Sequence, residues 1–201
     1  MEDMQALCSI IIPAYNCSAT ITATVESALR QTYSHVEVLI VNDASTDDTL
    51  QVLTNLAKQD ARIQVFNLEI NGGVANARNY LFARARGSLL ALLDSDDIWE
   101  DSKLEEQITL LRTSGADLVY SSYGYIDGEG KPIGAPKIVP AICSFKTLLK
   151  ENYILPSTVV MQASWVQHHS MDGSYAHEDF VFWLELLQNG LTAVGNQKVL
   201  I

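Results

Sequence analysis

Positive charge is scarce in this chain of 201 residues: 13 lysines and arginines stand against 24 aspartates and glutamates, a formal net charge of −11. That balance lacks the basic face a general nucleic-acid binder needs. Any anionic ligand must find local positive charge against the global field. Cysteine is scarce as well. Cys8, Cys17 and Cys143 are odd in number, lie far apart and form no C-x-x-C. This excludes a disulfide framework or zinc site and predicts reduced thiols in the cytoplasm. No apolar run approaches the length needed to cross a bilayer. The opening Met1-Glu2-Asp3-Met4-Gln5 has neither the basic start nor the apolar stretch of a signal peptide. Two phosphate-binding fingerprints are missing. No G-x-G-x-x-G follows the first apolar run, and G-x-x-x-x-G-K-[ST] is absent, which disfavours ATPase or kinase chemistry. Internal repeats, low-complexity tracts and a second domain are also absent.

What remains is ordinary for one folded domain: 48% hydrophobic and 18% charged residues. Apolar runs at Leu7–Ile12, Val36–Val41, Ile63–Asn67, Leu89–Leu93, Asp117–Ser121 and Ser157–Met161 read as strands, the third near an edge. Between them lie stretches of helical period. Ile21, Val25, Ala28 and Leu29 follow Ser18 as a cap. Leu50, Leu53 and Ala57 follow Ser45 or Thr46. Val74, Ala77, Leu81 and Ala85 follow the Asn71-Gly72-Gly73 break and end at Gly87. Leu104, Ile108 and Leu111 are capped by Asp101 and ended by Gly115, and Ser144–Asn152 forms a short helix. In His177–Asn189, Phe180, Trp183 or Leu184, and Leu187 face inward, and Gly190 stops the helix. Alternation of strand and helix predicts an α/β domain with a mostly parallel central sheet flanked by helices. Residues 124–140 dissolve into Gly, Pro and isolated charges, a long surface loop or hairpin. Val199–Ile201 opens a further strand where the chain stops, which predicts a longer parent protein cut there.

In open α/β sheets, ligands bind outside the carboxyl ends of the strands. Here those ends carry Pro13-Ala14-Tyr15-Asn16, then Asp43, then Asp94-Ser95-Asp96-Asp97. Asp94 and Asp96 sit two apart and share a side if the strand continues. Three carboxylates in four positions repel one another, and Mg²⁺ or Mn²⁺ would relieve them. Each residue also has a plainer use. Tyr15 could be a half-buried aromatic, Asp43 an Asx-turn before a helix, and the acidic run a solvated loop that caps one. His168 and His169 lie in a polar stretch and read as surface residues.

Five stretches in order resemble the family 2 glycosyltransferases. They are Ile11-Ile12-Pro13-Ala14-Tyr15-Asn16; Val41-Asn42-Asp43-Ala44-Ser45-Thr46-Asp47; Asn71-Gly72-Gly73-Val74-Ala75-Asn76-Ala77-Arg78-Asn79; Leu93-Asp94-Ser95-Asp96-Asp97; and His177-Glu178-Asp179-Phe180-Val181-Phe182-Trp183-Leu184. The resemblance implies a GT-A fold in a single catalytic domain over 1–201. Residues up to about 122 would bind the nucleotide sugar, and about 123–201 would form an incomplete acceptor side.

It further implies an inverting, metal-dependent transfer from a nucleotide-diphosphate sugar, commonly a UDP-sugar, to an acceptor hydroxyl. By similarity Pro13, Ala14 and Tyr15 hold the base, and Asp43 reads its ring N–H. Arg78, Asp94 and Ser95 contact the nucleotide, Asp96 binds Mg²⁺ or Mn²⁺, and Asp179 is the general base. Asp97 supports Asp96 or caps the next turn. The implied acceptor is a saccharide, a lipid-linked glycan or a protein. No nucleic-acid partner is implied, and the protein would be cytoplasmic, with peripheral contact at the inner membrane face and homo-oligomers left open. Asn42 stands where many members have an aspartate, and no Q-x-x-R-W follows Asp179, which disfavours processive polymer synthesis. Two other readings stay open: a sugar-nucleotide-binding module without catalysis, and a nucleotidyltransferase, for which the loop after the first strand lacks glycine and charge.

Overall fold

The computed structural model describes residues 6–128 and 130–201. Eight strands form one sheet in the order β3-β2-β1-β4-β7-β5-β8-β6. The parallel half is β3 (Ile63–Leu68), β2 (Val36–Asp43), β1 (Cys8–Ala14) and β4 (Leu89–Leu92). β7 (Val160–Gln162) runs antiparallel between β4 and β5 (Leu118–Ser122). β8 (Ala193–Val199) lies parallel to β5, and the two-residue β6 (Ile142–Cys143) closes the far edge antiparallel to β8.

The all-apolar strands are buried on both faces because helices cover both. Successive residues of β1 alternate between two cores: Ile11 shares one with Leu81, Ile154 and Phe182, and Ile10 and Ile12 share the other with Val25 and Leu104. α1 is Ile21–Leu29, α2 Thr49–Gln59, α3 Val74–Phe82 and α4 Lys103–Ser114. The short α5 is Phe145–Leu148, and α6 is Glu178–Gln188. All three cysteines are free and buried. Among the described residues no helix is long and apolar enough to cross a membrane.

Several sequence expectations shift in detail. Ser157–Met161 is not one strand: Pro156–Thr158 is a 3-10 turn, and β7 begins at Val160. Gly87 does not end α3, whose last residue is Phe82. Instead a Cβ there would meet the Leu7 carbonyl oxygen at 2.5 Å, so this glycine admits a close crossing of chains. Gly115 does end α4, with φ +69°. Val74 is 40% exposed. On α6 the fully buried residues are Phe182, Trp183 and Leu186, while Phe180, Leu184 and Leu187 pack at the margin. His169 is partly buried, with Nδ1 2.9 Å from the Glu185 carboxylate and its ring stacked on Trp165. Residues 123–137 form a hairpin-like excursion with bridges Tyr123–Lys137 and Ile126–Pro132.

The predicted side-chain caps are not made. The N-caps of α1, α2 and α4 are Thr20, Asp48 and Ser102, and none accepts a hydrogen bond on its side chain. The polar residues expected to cap α1 and α2 instead lace their two entry loops together. The Asn16 amide donates to Ser45 Oγ (3.0 Å), Thr46 N–H to Asn16 Oδ1 (2.8 Å) and Ser18 N–H to Asp47 Oδ2 (3.1 Å). Asn16 and Ala44 adopt positive φ, +49° and +56°. A non-glycine residue held there is strained unless its surroundings over-determine it, and this lacing supplies that constraint.

Candidate active site

Strand order reverses between β1 and β4, the place where an α/β sheet opens a crevice at its carboxyl edge. A cavity of about 420 Å³ lies there. It is lined by Pro13, Ala14, Tyr15, Asp43, Arg78, Asp94, Ser95 and Asp96, every residue assigned from sequence to the nucleotide or metal. Four further residues line it: Asn71 and Gly73 of the loop before α3, and Val74 and Ala77 of α3 itself. A larger cavity of about 720 Å³ opens at the other end of α3, near Phe82, Arg86 and Gln162. It contains none of the residues assigned from sequence to the nucleotide, the metal or the base, and its size alone gives it no chemistry.

Tyr15 stands at the rim with half its surface exposed. Asp43 is nearly inaccessible, and its carboxylate does what sequence did not foretell. Oδ1 accepts the Gly72 N–H (2.9 Å) and Oδ2 the Gly73 N–H (2.8 Å), while Asn71 Nδ2 donates to its carbonyl (2.9 Å). Neither an Asx-turn nor a helix cap is formed. The carboxylate holds the glycine loop that opens α3, where Gly73 takes φ +82°. Each oxygen keeps a second lone-pair direction for a ligand.

The D-x-D segment departs from its sequence expectation. β4 ends at Leu92, and Asp97 N–H closes a turn on the Asp94 carbonyl (3.2 Å), so the extended backbone does not continue through Asp96. The two aspartates therefore part company. Asp94 turns to Arg78, with Oδ1 2.6 Å from Nη2. Asp96 sits exposed on the turn at the cavity mouth. The turn is pinned from two sides: Thr20 and Thr24 hydroxyls donate to the Ser95 carbonyl (2.9 and 3.0 Å), and Asp94 N–H donates to Ser157 Oγ (2.9 Å). Burial, then the charges of Asp94 and Asp96, push the Asp97 carboxyl up to about 6 against the pull of a Ser157 hydrogen bond.

Arg78 is the buried centre of the site, with its side chain 4% exposed. Nη1 bonds the Glu178 carboxylate at 2.9 Å and lies 3.8 Å from Met171 Sδ. Burial pulls its pKa down, but the adjacent Asp94 and Glu178 carboxylates outweigh that and hold it above its ordinary value. Glu178 received no role from sequence beyond its place in the fifth motif. Its pairing across 100 positions with Arg78 could not be seen in local spacing.

Asp179 does not line the cavity. It follows Glu178 at the head of α6, close enough for its carboxyl to feel Glu178, Arg78 and Asp94. Burial raises its pKa, with Glu178 and Asp94 adding to the rise while a backbone hydrogen bond from Phe180 and the charge of Arg78 oppose it. Asp43, Asp96 and Asp179 therefore belong to one side of the molecule, joined through Asp94, Arg78 and Glu178.

Among the described residues no three His, Cys, Asp or Glu side chains converge as a ready metal site. The donor set still fits a hard divalent ion in one way. Mg²⁺ and Mn²⁺ are commonly held by one or two carboxylates with the remaining positions filled by phosphate oxygens and water. Asp96 is the carboxylate free for that role, since Asp94 is committed to Arg78.

Comparison with known proteins settles the family. The family described as glycosyl transferase family 2 matches residues 9–172. The chain belongs to it. TuaG of Bacillus subtilis (strain 168), whose name assigns it to teichuronic acid biosynthesis, is 35% identical over 200 residues, 100% of this chain and 79% of that protein. An Escherichia coli relative, WfaP, is 39% identical over 193 residues, 96% of this chain and 75% of its own. WfaP is named a UDP-Glc:alpha-D-GlcNAc-diphosphoundecaprenol beta-1,3-glucosyltransferase. The crystal structure of S. aureus TarS 1-349 in complex with UDP superposes with a TM-score of 0.81 at 23% identity. This chain is covered over 96% of its length and spans 59% of that one, which fixes the fold as GT-A. This family 2 chain is accordingly a glycosyltransferase, with residues from four of its five sequence motifs lining the cavity at the β1/β4 crevice.

Proposed function

We propose that this domain performs an inverting, metal-dependent transfer of a sugar from a UDP-sugar to an acceptor hydroxyl, the acceptor being a lipid-linked saccharide. The observation that carries this reading is the gathering of residues from four strand-end loops around one cavity at the β1/β4 crevice. The UDP bound to the TarS structure and the acceptor named for WfaP support the choice of donor and acceptor class.

Tyr15 would cover one face of the base, with Pro13 and Ala14 beneath it. Asp43, already fixed by Gly72 and Gly73, would accept from the ring N–H with its unused lone pair. Arg78 supplies little net charge for a diphosphate, because Asp94 and Glu178 neutralise it. The cleft is thus electrostatically negative, and a diphosphate would be repelled from it without a cation. A Mg²⁺ or Mn²⁺ ion at Asp96, when bound with the donor, would neutralise the diphosphate and ease its departure. Asp94 and Ser95 would stand on the ribose side.

Transfer is one displacement. The acceptor oxygen forms a bond to the anomeric carbon as the bond from that carbon to the β-phosphate oxygen breaks. UDP leaves, and the acceptor's proton passes to Asp179 on the opposite face. Residues up to about 122 then form the donor side and about 123–201 the acceptor side.

The test is UDP release from UDP-sugars by the wild type and by Asp179→Asn. The reading requires Asp179→Asn to bind UDP within about threefold of wild type and to lose about 10²–10⁴ in turnover. Wild-type turnover in the variant rejects Asp179 as the base. UDP-sugar binding by the wild type with no UDP release on any acceptor would favour a binding module without catalysis.

A further inference from the structure

Between the 3-10 turn Ala163–Gln167 and α6, residues 168–177 contain no helix or strand. This segment leads straight into Glu178 and Asp179, so its path sets where the proposed base stands over the cleft. It is fastened to α3 at three points. The Met171 N–H donates to Asn79 Oδ1 at 2.9 Å, and the Met171 carbonyl accepts from Asn79 Nδ2 at 2.8 Å. One carboxamide thus satisfies both backbone polar groups of a single residue 92 positions away, as a strand neighbour would. The Met171 side chain is buried against Arg78 Nη1, and Gly173 lies where a Cβ would touch the Ala75 Cβ at 3.5 Å. The third fastening is the ion pair of Glu178 with Arg78.

Asn79 belongs to the Gly-rich helix start that resembles the family motif, yet the donor site does not use it. It does not line the 420 Å³ cavity and instead borders the larger cavity at the far end of α3. Its neighbour Arg78 faces the donor side, so adjacent residues of one helix address the two halves of the reaction. Among the described residues the Asp179 carboxyl has no side-chain hydrogen-bond partner to orient it; beside the Phe180 backbone N–H, its placement depends on where α6 begins.

We propose that Asn79 is a positioning residue: its two hydrogen bonds to Met171 anchor the segment that sets Asp179 over the sugar, and so govern turnover without touching the donor. This rests on the assignment of Asp179 as base, and the experiment separates the two.

Amide hydrogen exchange, UDP affinity and UDP-release kinetics are measured on wild type, Asn79→Ala, Asp179→Asn and the double variant, using the UDP-sugar that wild type turns over fastest. Asn79→Ala is expected to speed exchange in peptides covering 168–180 at least tenfold, while protection of β1, β2 and β4 stays as in wild type. UDP affinity and the donor KM remain within about twofold, and kcat falls at least tenfold. In the double variant, turnover equals that of Asp179→Asn, because a base that is absent cannot be misplaced. Asn79→Asp, which keeps the acceptor half of the clip and loses the donor half, falls between wild type and Asn79→Ala in exchange rate.

The proposal is overturned if exchange at 168–180 is unchanged in Asn79→Ala. It is equally overturned if donor affinity falls in step with kcat, or if the losses of Asn79→Ala and Asp179→Asn multiply in the double variant. Full turnover by Asp179→Asn overturns the base assignment instead, and the exchange data then decide alone whether Asn79 fixes the segment.

Discussion

Arg78 shows most clearly how one side chain can organise a site. It is buried between two carboxylates, and its Nε has no partner among the described residues. Removing one member of such an arrangement leaves the others desolvated and unpaired, which typically costs about 3–5 kcal/mol. Arg78→Met is therefore expected to lower the midpoint of chemical denaturation by an amount equivalent to about 3 kcal/mol and to abolish turnover. A variant as stable as wild type would show that Asp94 and Glu178 relax into solvent. Asp179 adds a pH prediction. A base must be ionised to accept a proton, and burial holds its pKa above the ordinary aspartate value. The acidic limb of kcat/KM should thus rise with pH at a value above that of a free aspartate, and Asp179→Glu should move that limb. A limb at or below the free value would remove Asp179 from the role. The types and order of the site residues were legible in the sequence. Their partners were not, because the bonds of Asp43 to Gly72 and Gly73, and of Arg78 to Glu178, join positions 29 to 100 apart.

The elements themselves were readable wherever apolar period was strong. β1 to β5, α1 and α4 lie within a residue or two of their sequence expectations, while α3 stops at Phe82, short of the Ala85 and Gly87 expected to end it. Failures cluster at the carboxyl edge, where Ser18, Ser45 or Thr46, and Asp101 had been assigned to local caps. There Asn16, Ser45, Thr46 and the Ser18 N–H bond across to the neighbouring loop, so helix-capping propensity was outweighed by the cross-links between the entry loops of α1 and α2. The α6 stripe was misjudged for another reason: its N-terminus also borders the site, leaving Phe180 at the margin.

One residue of α4 remains at odds with its surroundings. Lys103 is fully buried, its Nζ lies 4.1 Å from the Trp99 ring centroid and it has no hydrogen-bond partner among the described residues. Burial pulls its pKa down to about 7. In the unfolded chain the amine stays protonated to about pH 10.4. The unfolded state thus binds more protons between those values, and the contribution of Lys103 to stability rises with pH across that window. Lys103→Met should raise Tm by roughly 5 °C or more near pH 7 and progressively less toward pH 10. A gain independent of pH would mean that Lys103 is charged in the fold. Gly195 on β8 offers a steric counterpart. A Cβ there would lie 2.1 Å from the Pro140 carbonyl oxygen, so Gly195→Ala should cost about 1–3 kcal/mol in denaturant titration. Unchanged stability would show that the strap before β6 moves aside.

At the scale of the whole molecule, the sheet divides the work. The parallel half delivers the cleft proposed to hold the donor, and β7 leads through residues 163–177 to Glu178 and Asp179 at the head of α6. The acidic balance of the chain, −11 overall, is not relieved at this cleft, since its one buried arginine is matched by Asp94 and Glu178. From sequence Arg78 was expected to contact the nucleotide, and its pairing with two carboxylates was not visible there. In the proposed reaction its neutralisation would leave the diphosphate to a divalent ion at Asp96. The most direct test is calorimetric titration of UDP into wild type and Asp96→Ala, each with Mn²⁺ and with chelator. Wild type should bind UDP at least tenfold more tightly with Mn²⁺, and Asp96→Ala should show no such difference. Equal UDP affinity with and without Mn²⁺ in the wild type would contradict the account.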